Sequence, residues 1–141
     1  MRVLALDPGK MTGWAYFIDG ILISCGVIID GRNGFIEWAK AQMPEHDVLV
    51  VESFIVEPSF VGTADASEVI GAAFALSDAP TKREQLRSAK ATLVRGDQTK
   101  RFNWLRSKGF EGMTHELDAI THALLYYRAV GHKPTYLRYW A

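Results

Sequence analysis

Two short apolar runs, RVLALD at residues 2–7 and DVLVVE at 47–52, constrain this chain more than any other feature, because each stops on an acid. Their length and nearly continuous Val and Leu content predict strands buried on both faces, the pattern of central positions in a sheet. If they are parallel neighbours, Asp7 and Glu52 emerge at the same sheet edge. After the first run the chain turns on Pro8 and Gly9 and resumes as WAYFID and ILISCGVII, which Asp19 and Gly20 join as a tight hairpin. Three antiparallel strands are therefore expected before any helix.

The rest of the chain reads as alternating elements. FIEWAKAQM predicts a short amphipathic helix stopped by Pro44, and residues 64–77 have the composition of a helix rich in small residues. RSAKATLVRG, 87–96, reads as a fifth strand. Residues 97–109 predict a basic helix capped by Asp97 and ended by Gly109, and 114–131 a long last helix. The sum is an α/β fold over residues 1–141 as one domain. Its mixed five-stranded sheet runs through three antiparallel strands, then parallel strands, with helices flanking it.

Composition narrows the function. Of the 141 residues, 48% are hydrophobic and 23% charged, with no window of about 18 apolar residues to span a bilayer. Cys25 is the single cysteine, so no internal disulfide can form, and no secretory signal pattern opens the chain. A cytoplasmic location is expected. The formal net charge is zero, yet the charges are segregated. Residues 1–81 carry 4 Lys/Arg against 11 Asp/Glu, whereas residues 82–108 carry 9 against 2. A basic cluster of this kind can focus a field on a phosphate backbone despite overall neutrality, although it would serve equally as a solvated helix face.

The acids suggest chemistry. On the last helix His115, Asp118 and His122 fall along one stripe, with Leu117, Ile120, Leu124 and Tyr127 opposite. A carboxylate among apolar neighbours needs a partner, and a divalent cation is one. Asp7, Glu52 and Asp118 are hard oxygen donors of the type that suits Mg²⁺ or Mn²⁺, with His115 as an additional group. Two such ions can activate water and stabilise a leaving oxygen in phosphodiester hydrolysis. Taken singly, an Asp before Pro-Gly is a turn former and His122 a hydrogen-bonded core or surface residue; the conjunction carries the weight.

DPGKMTGWAYFIDGILISCGVI, VVESF and HELDAITHALLY stand in an order and approximate spacing that resembles the RuvC-type Holliday junction resolvases, which have the RNase H-like fold. The likeness extends over nearly the whole chain, which is shorter than a typical bacterial member, as in a phage or divergent version. It implies a homodimeric, structure-selective DNA endonuclease. Asp7, Glu52, His115 and Asp118 would be the catalytic and metal-binding residues, holding two Mg²⁺ or Mn²⁺ ions. It implies four-way junctions as substrate, with flaps and forks as further branched targets. Lys90 and Lys100 match lysines that hold the scissile strand, and Arg95, Arg101 and Arg106 are further phosphate contacts. Phe54 and Phe60 flank the loop that in this family carries a base-stacking aromatic.

Other classes remain open on the residues alone. A YqgF-like RNA-processing nuclease shares the fold, as would a non-catalytic nucleic-acid-binding module. A sugar-kinase or actin-like ATPase also uses DxG and TG around phosphate, but needs a second domain for which 141 residues leave no room.

Overall fold

The computed structural model describes residues 1–53 and 64–141. Phe54 and Phe60, both expected to contact DNA, lie outside the described residues. The five strands are β1 (Arg2–Asp7), β2 (Thr12–Ile18), β3 (Ile21–Ile28), β4 (Val48–Glu52) and β5 (Thr81–Gln85), in the sheet order β3-β2-β1-β4-β5. β1 pairs antiparallel with β2 and β2 with β3, whereas β1–β4 and β4–β5 are parallel. The expected mixed sheet is thus the observed one. The β2–β3 turn places Asp19 at φ 49° and Gly20 at φ 79°, the paired left-handed conformations that match a hairpin's twist.

Helices cover both faces. α1 (Gly31–Gln42) and α2 (Asp65–Leu76) pack together on one side, where Leu4, Leu6, Leu49 and Val51 meet Phe35, Trp38, Val69 and Ala73. The alternate residues of the same strands, Val3, Ala5, Val48 and Val50, face a second core. That core includes Phe102 and Leu105 of α3 (Gln98–Ser107) and Leu117, Ile120, Leu124 and Tyr127 of α4 (Thr114–Ala129). The near-continuous apolar character of β1 and β4 follows from this burial on two sides. α3 is capped as expected, with Asp97 Oδ1 accepting from the Lys100 amide at 3.0 Å. α4 is buried on every side from Leu117 to Tyr127; the two-sided helix expected there is a core helix. α5 (Lys133–Tyr139) folds the aromatic tail back onto this core. The Tyr139 hydroxyl donates to Gly20 O at 2.7 Å, and Trp140 lies against Trp104.

One expected element is corrected. The fifth strand is TKREQ, 81–85, and residues Arg87–Thr92 within the segment expected to be that strand form a short 3-10 helix. β5 is an edge strand held to β4 by backbone pairing from Thr81↔Val48 to Glu52↔Gln85. It has little buried side-chain surface and tolerates charges that would be costly in a central strand. Ala89 and Leu93 both reach the core, and their amides bond back three residues, to Leu86 O at 2.9 Å and Lys90 O at 3.2 Å, the repeat of a 3-10 turn that an extended strand does not make.

Candidate active site

The register of the two central strands builds the site. β1 and β4 pair from Val3↔Val48 to Leu6↔Val51, so one further step sets Asp7 beside Glu52. Because side chains alternate in a strand, both acids project to the face of Val3, Ala5, Val48 and Val50, the face covered by α4. There the first turns of α4 supply His115 and Asp118. The four side chains line a single cleft of about 390 Å³, together with Lys90, Arg87 and Gln98 and the backbone turn at Pro8 and Gly9. Asp65, at the start of α2, is also in its wall.

Gly13 lets the helix come this close. A Cβ built there would lie 2.0 Å from the carbonyl oxygen of His115 and 2.8 Å from its Cβ. Any side chain on this residue of β2 would push the start of α4 outward, taking His115 and Asp118 with it. The Thr-Gly pair thus has a steric purpose beyond its motif, and the Thr12 hydroxyl lies 3.3 Å from Gly9 O, bracing the turn after Asp7.

Asp7, Glu52 and Asp118 are all buried, each 6–8% exposed, and each has a partner. His115 Nδ1 donates to Asp7 Oδ2 at 3.0 Å. Lys90 Nζ bridges Glu52 Oε2 at 3.1 Å and Asp118 Oδ2 at 3.2 Å, and Arg101 Nη2 reaches Asp118 Oδ1 at 3.2 Å. His122, fully buried, lies 2.9 Å from Glu52 Oε2 through Nε2 and 2.7 Å from Gln85 Oε1 through Nδ1.

The partners do not compensate the acids equally. Burial raises the Asp7 carboxyl to about 6, and the neighbouring charge of Glu52 pushes the same way, with the His115 hydrogen bond opposing both. Burial also pushes Glu52 upward, but the His122 hydrogen bond and the Lys90 charge outweigh it and hold that carboxyl at about 2. Of these two acids, Asp7 is the less compensated.

Among the described residues no three His, Cys, Asp or Glu side chains are drawn together closely enough to hold an ion as they stand. The donor chemistry nonetheless fits a hard divalent cation, with the carboxylates of Asp7, Glu52 and Asp118, and Asp65 in the wall, on one cleft that no thiol lines among the described residues. The position between Glu52 and Asp118 is already one that takes positive charge, and the Lys90 ammonium fills it.

The basic residues divide into two groups. Lys100, Arg95 and Arg106 are exposed, with Arg106 over the Phe102 ring. Lys90 and Arg101, expected as phosphate contacts, are 8% and 6% exposed and bound to the acids. A cluster of charge in sequence does not distinguish a solvated cation from a buried counter-ion; the three acids nearby were the available signal. Sequence reasoning does not reach Gln85 or the link from His122 to Glu52, because it expects the fifth strand at 87–96, six residues past its actual start.

No family model matches the chain, and no curated protein matches it. Among solved structures it is similar to Thermus thermophilus RuvC, with a TM-score of 0.65 and 15% identity over 94% of this chain and 98% of that one. A second similar structure is T. thermophilus RuvC in complex with a Holliday junction substrate. Its TM-score is 0.63 at 16% identity, over 94% of this chain and 97% of that one. Sheet order, helix placement and this end-to-end superposition agree: the chain has the RuvC-like form of the RNase H-like fold.

Proposed function

We propose that this protein is a metal-dependent endonuclease that cuts branched DNA, four-way junctions foremost, and works as a homodimer. The observation that carries the reading is the convergence of Asp7, Glu52 and Asp118, from three separate elements, on one cleft. Its fold is shared with a RuvC whose structure holds a Holliday junction substrate. Asp7, Glu52 and Asp118, with His115 beside them, would hold Mg²⁺ or Mn²⁺, which when bound supplies an activated water and neutralises charge on the phosphate.

The chain's own residues set the rest. His115 orients the Asp7 carboxylate through its hydrogen bond. His122, fixed by Gln85, orients Glu52 from behind. Lys90 and Arg101 hold Asp118 and keep the buried acids neutralised until a substrate brings its own ions. Lys100, Arg95 and Arg106 remain free to meet phosphates along the strand. A two-fold dimer would present two clefts to two symmetric strands, the arrangement that paired cleavage of a junction requires.

The test is incubation with labelled four-way junction, flap, linear duplex and RNA:DNA hybrid in Mg²⁺, Mn²⁺ or chelator, beside Asp7→Asn. Paired symmetric nicks in the junction, dependent on metal and on Asp7, are expected. Preferential cutting of the hybrid, or cleavage by Asp7→Asn near the parental rate, would overturn the proposal.

A further inference from the structure

Next to the acidic cleft lies a second cavity of about 600 Å³, and its lining has the opposite character. Arg87, Lys90 and Arg101 contribute three cationic side chains and Ser53, Ser88 and Gln98 three neutral polar ones, with no carboxylate among the described lining residues. Arg87, Lys90 and Gln98 belong to both cavities and so form the wall between them.

Two of its polar atoms are buried without a hydrogen-bond partner, Arg101 Nε and Ser53 Oγ. Arg101 is only 6% exposed and spends Nη2 on Asp118, so its Nε–H is a donor removed from water and left unused. Buried polar groups in folded proteins are nearly always paired, so such a donor calls for an explanation. An N–H donor cannot be satisfied by another cation; it needs an acceptor. Arg87 is the exposed member, with an 80% exposed side chain that reaches Glu52 Oε1 at 3.8 Å. Leu86 and Ala91 add an apolar wall, and the volume exceeds what an inorganic anion requires.

We infer that this cavity is a nucleotide subsite that takes a phosphate on Arg101 Nε, Ser53 Oγ and the Arg87 guanidinium, with its sugar against Leu86 and Ala91. The inference rests on the nuclease reading for its purpose. A strand with one phosphate at the three acids would enter the basic cavity with the adjoining nucleotide, passing over the shared wall of Arg87, Lys90 and Gln98. That division places positive charge from the protein under the phosphate that is not cut and reserves the acids for the one that is. A subsite here also gives the strand a direction across the cleft, which the acids alone do not.

The experiment uses full-length ¹⁵N-labelled protein in chelator, titrated with thymidine 5′-monophosphate, inorganic phosphate or thymidine. The Arg101 Nε–H resonance and the Ser53 amide are followed. The monophosphate is expected to move both signals saturably and to bind roughly tenfold tighter than thymidine, as charge-assisted hydrogen bonds require. Ser53→Ala and the exposed-site variant Arg87→Gln should each weaken it by about three- to tenfold. Thymidine binding as tightly as the monophosphate, or an unmoved Arg101 Nε–H signal in protein that still nicks junctions, sinks the subsite and leaves the nuclease reading standing. Saturable phosphate binding in protein that cuts no nucleic acid does the reverse.

Discussion

The Lys90 ammonium lies 3.1 Å from Glu52 Oε2, in a place where both groups are about nine-tenths buried. Its second contact, 3.2 Å to Asp118 Oδ2, makes it the bridge between two of the three acids. A cation bound between those carboxylates and the ammonium cannot share the position, because like charges at that range repel strongly in a poorly screened interior.

Lys90→Met should therefore destabilise the metal-free protein by about 3 kcal/mol, the cost of leaving buried charge uncompensated. Mg²⁺ or Mn²⁺ should restore much of that loss, so the rise in Tm on adding metal should be larger than in the parent. Thermal unfolding with and without metal checks this; an equal rise in both proteins would show that Lys90 does not compete with the ion.

Asp7 carries a pH signature. Its carboxyl titrates at about 6 in the folded protein against 3.8 when unperturbed. The folded state thus favours the protonated form, and stability is lost as the pH rises from about 4 through 6. Asp7→Asn does not titrate. In chelator it should be more stable than the parent by about 3 kcal/mol above pH 7, a difference that shrinks to nearly nothing below pH 4. Denaturant unfolding across this range measures it, and a constant difference at all pH values would contradict the assignment of burial as the cause.

Glu52 behaves in the opposite sense. Held at about 2 against 4.5, it contributes stability above pH 4.5 that disappears as the pH falls towards 2. His122→Phe keeps the buried ring and removes the hydrogen bonds to Glu52 and Gln85. We expect a loss of about 2 kcal/mol at pH 7 and acid unfolding that begins at higher pH than in the parent. An unshifted acid transition would mean that Lys90 alone supports Glu52.

Gly13→Ala tests the approach of helix to sheet. The added methyl would meet the His115 carbonyl at 2.0 Å, and overpacking of this kind costs about 1–3 kcal/mol. Cleavage of a junction should fall more than stability alone explains, since His115 and Asp118 shift together; unchanged cleavage with a normal Tm would show that the strand yields instead.

Much of this arrangement was legible in the chain, for identifiable reasons. Apolar runs ending in Asp7 and Glu52 specify two buried strands, and the alternation of side chains puts both acids on one face once those strands are parallel. The stripe of His115, Asp118 and His122 could be read from helical spacing. What could not be read was compensation. Lys90 and Arg101 sit in the same basic stretch as Lys100 and Arg106, and only packing separates the buried pair from the exposed one. β5 is hidden for a related reason: backbone pairing at a sheet edge leaves little hydrophobic trace, so TKREQ reads as a polar linker while the more apolar segment after it reads as the strand.

The hydrogen bond from His115 to Asp7 spans 108 residues of sequence. A chain emerging from the ribosome would expose Asp7 early and Glu52 some time later, but Asp7 lacks His115 and Glu52 lacks His122 until α4 has been synthesised and has settled on β1 and β2. Contacts of such long sequence separation form late, since the intervening chain must first be brought to order. Whatever chemistry the cleft performs is thereby withheld from the nascent polypeptide. For a protein that would act on nucleic acid, completion of the fold is its own activation step.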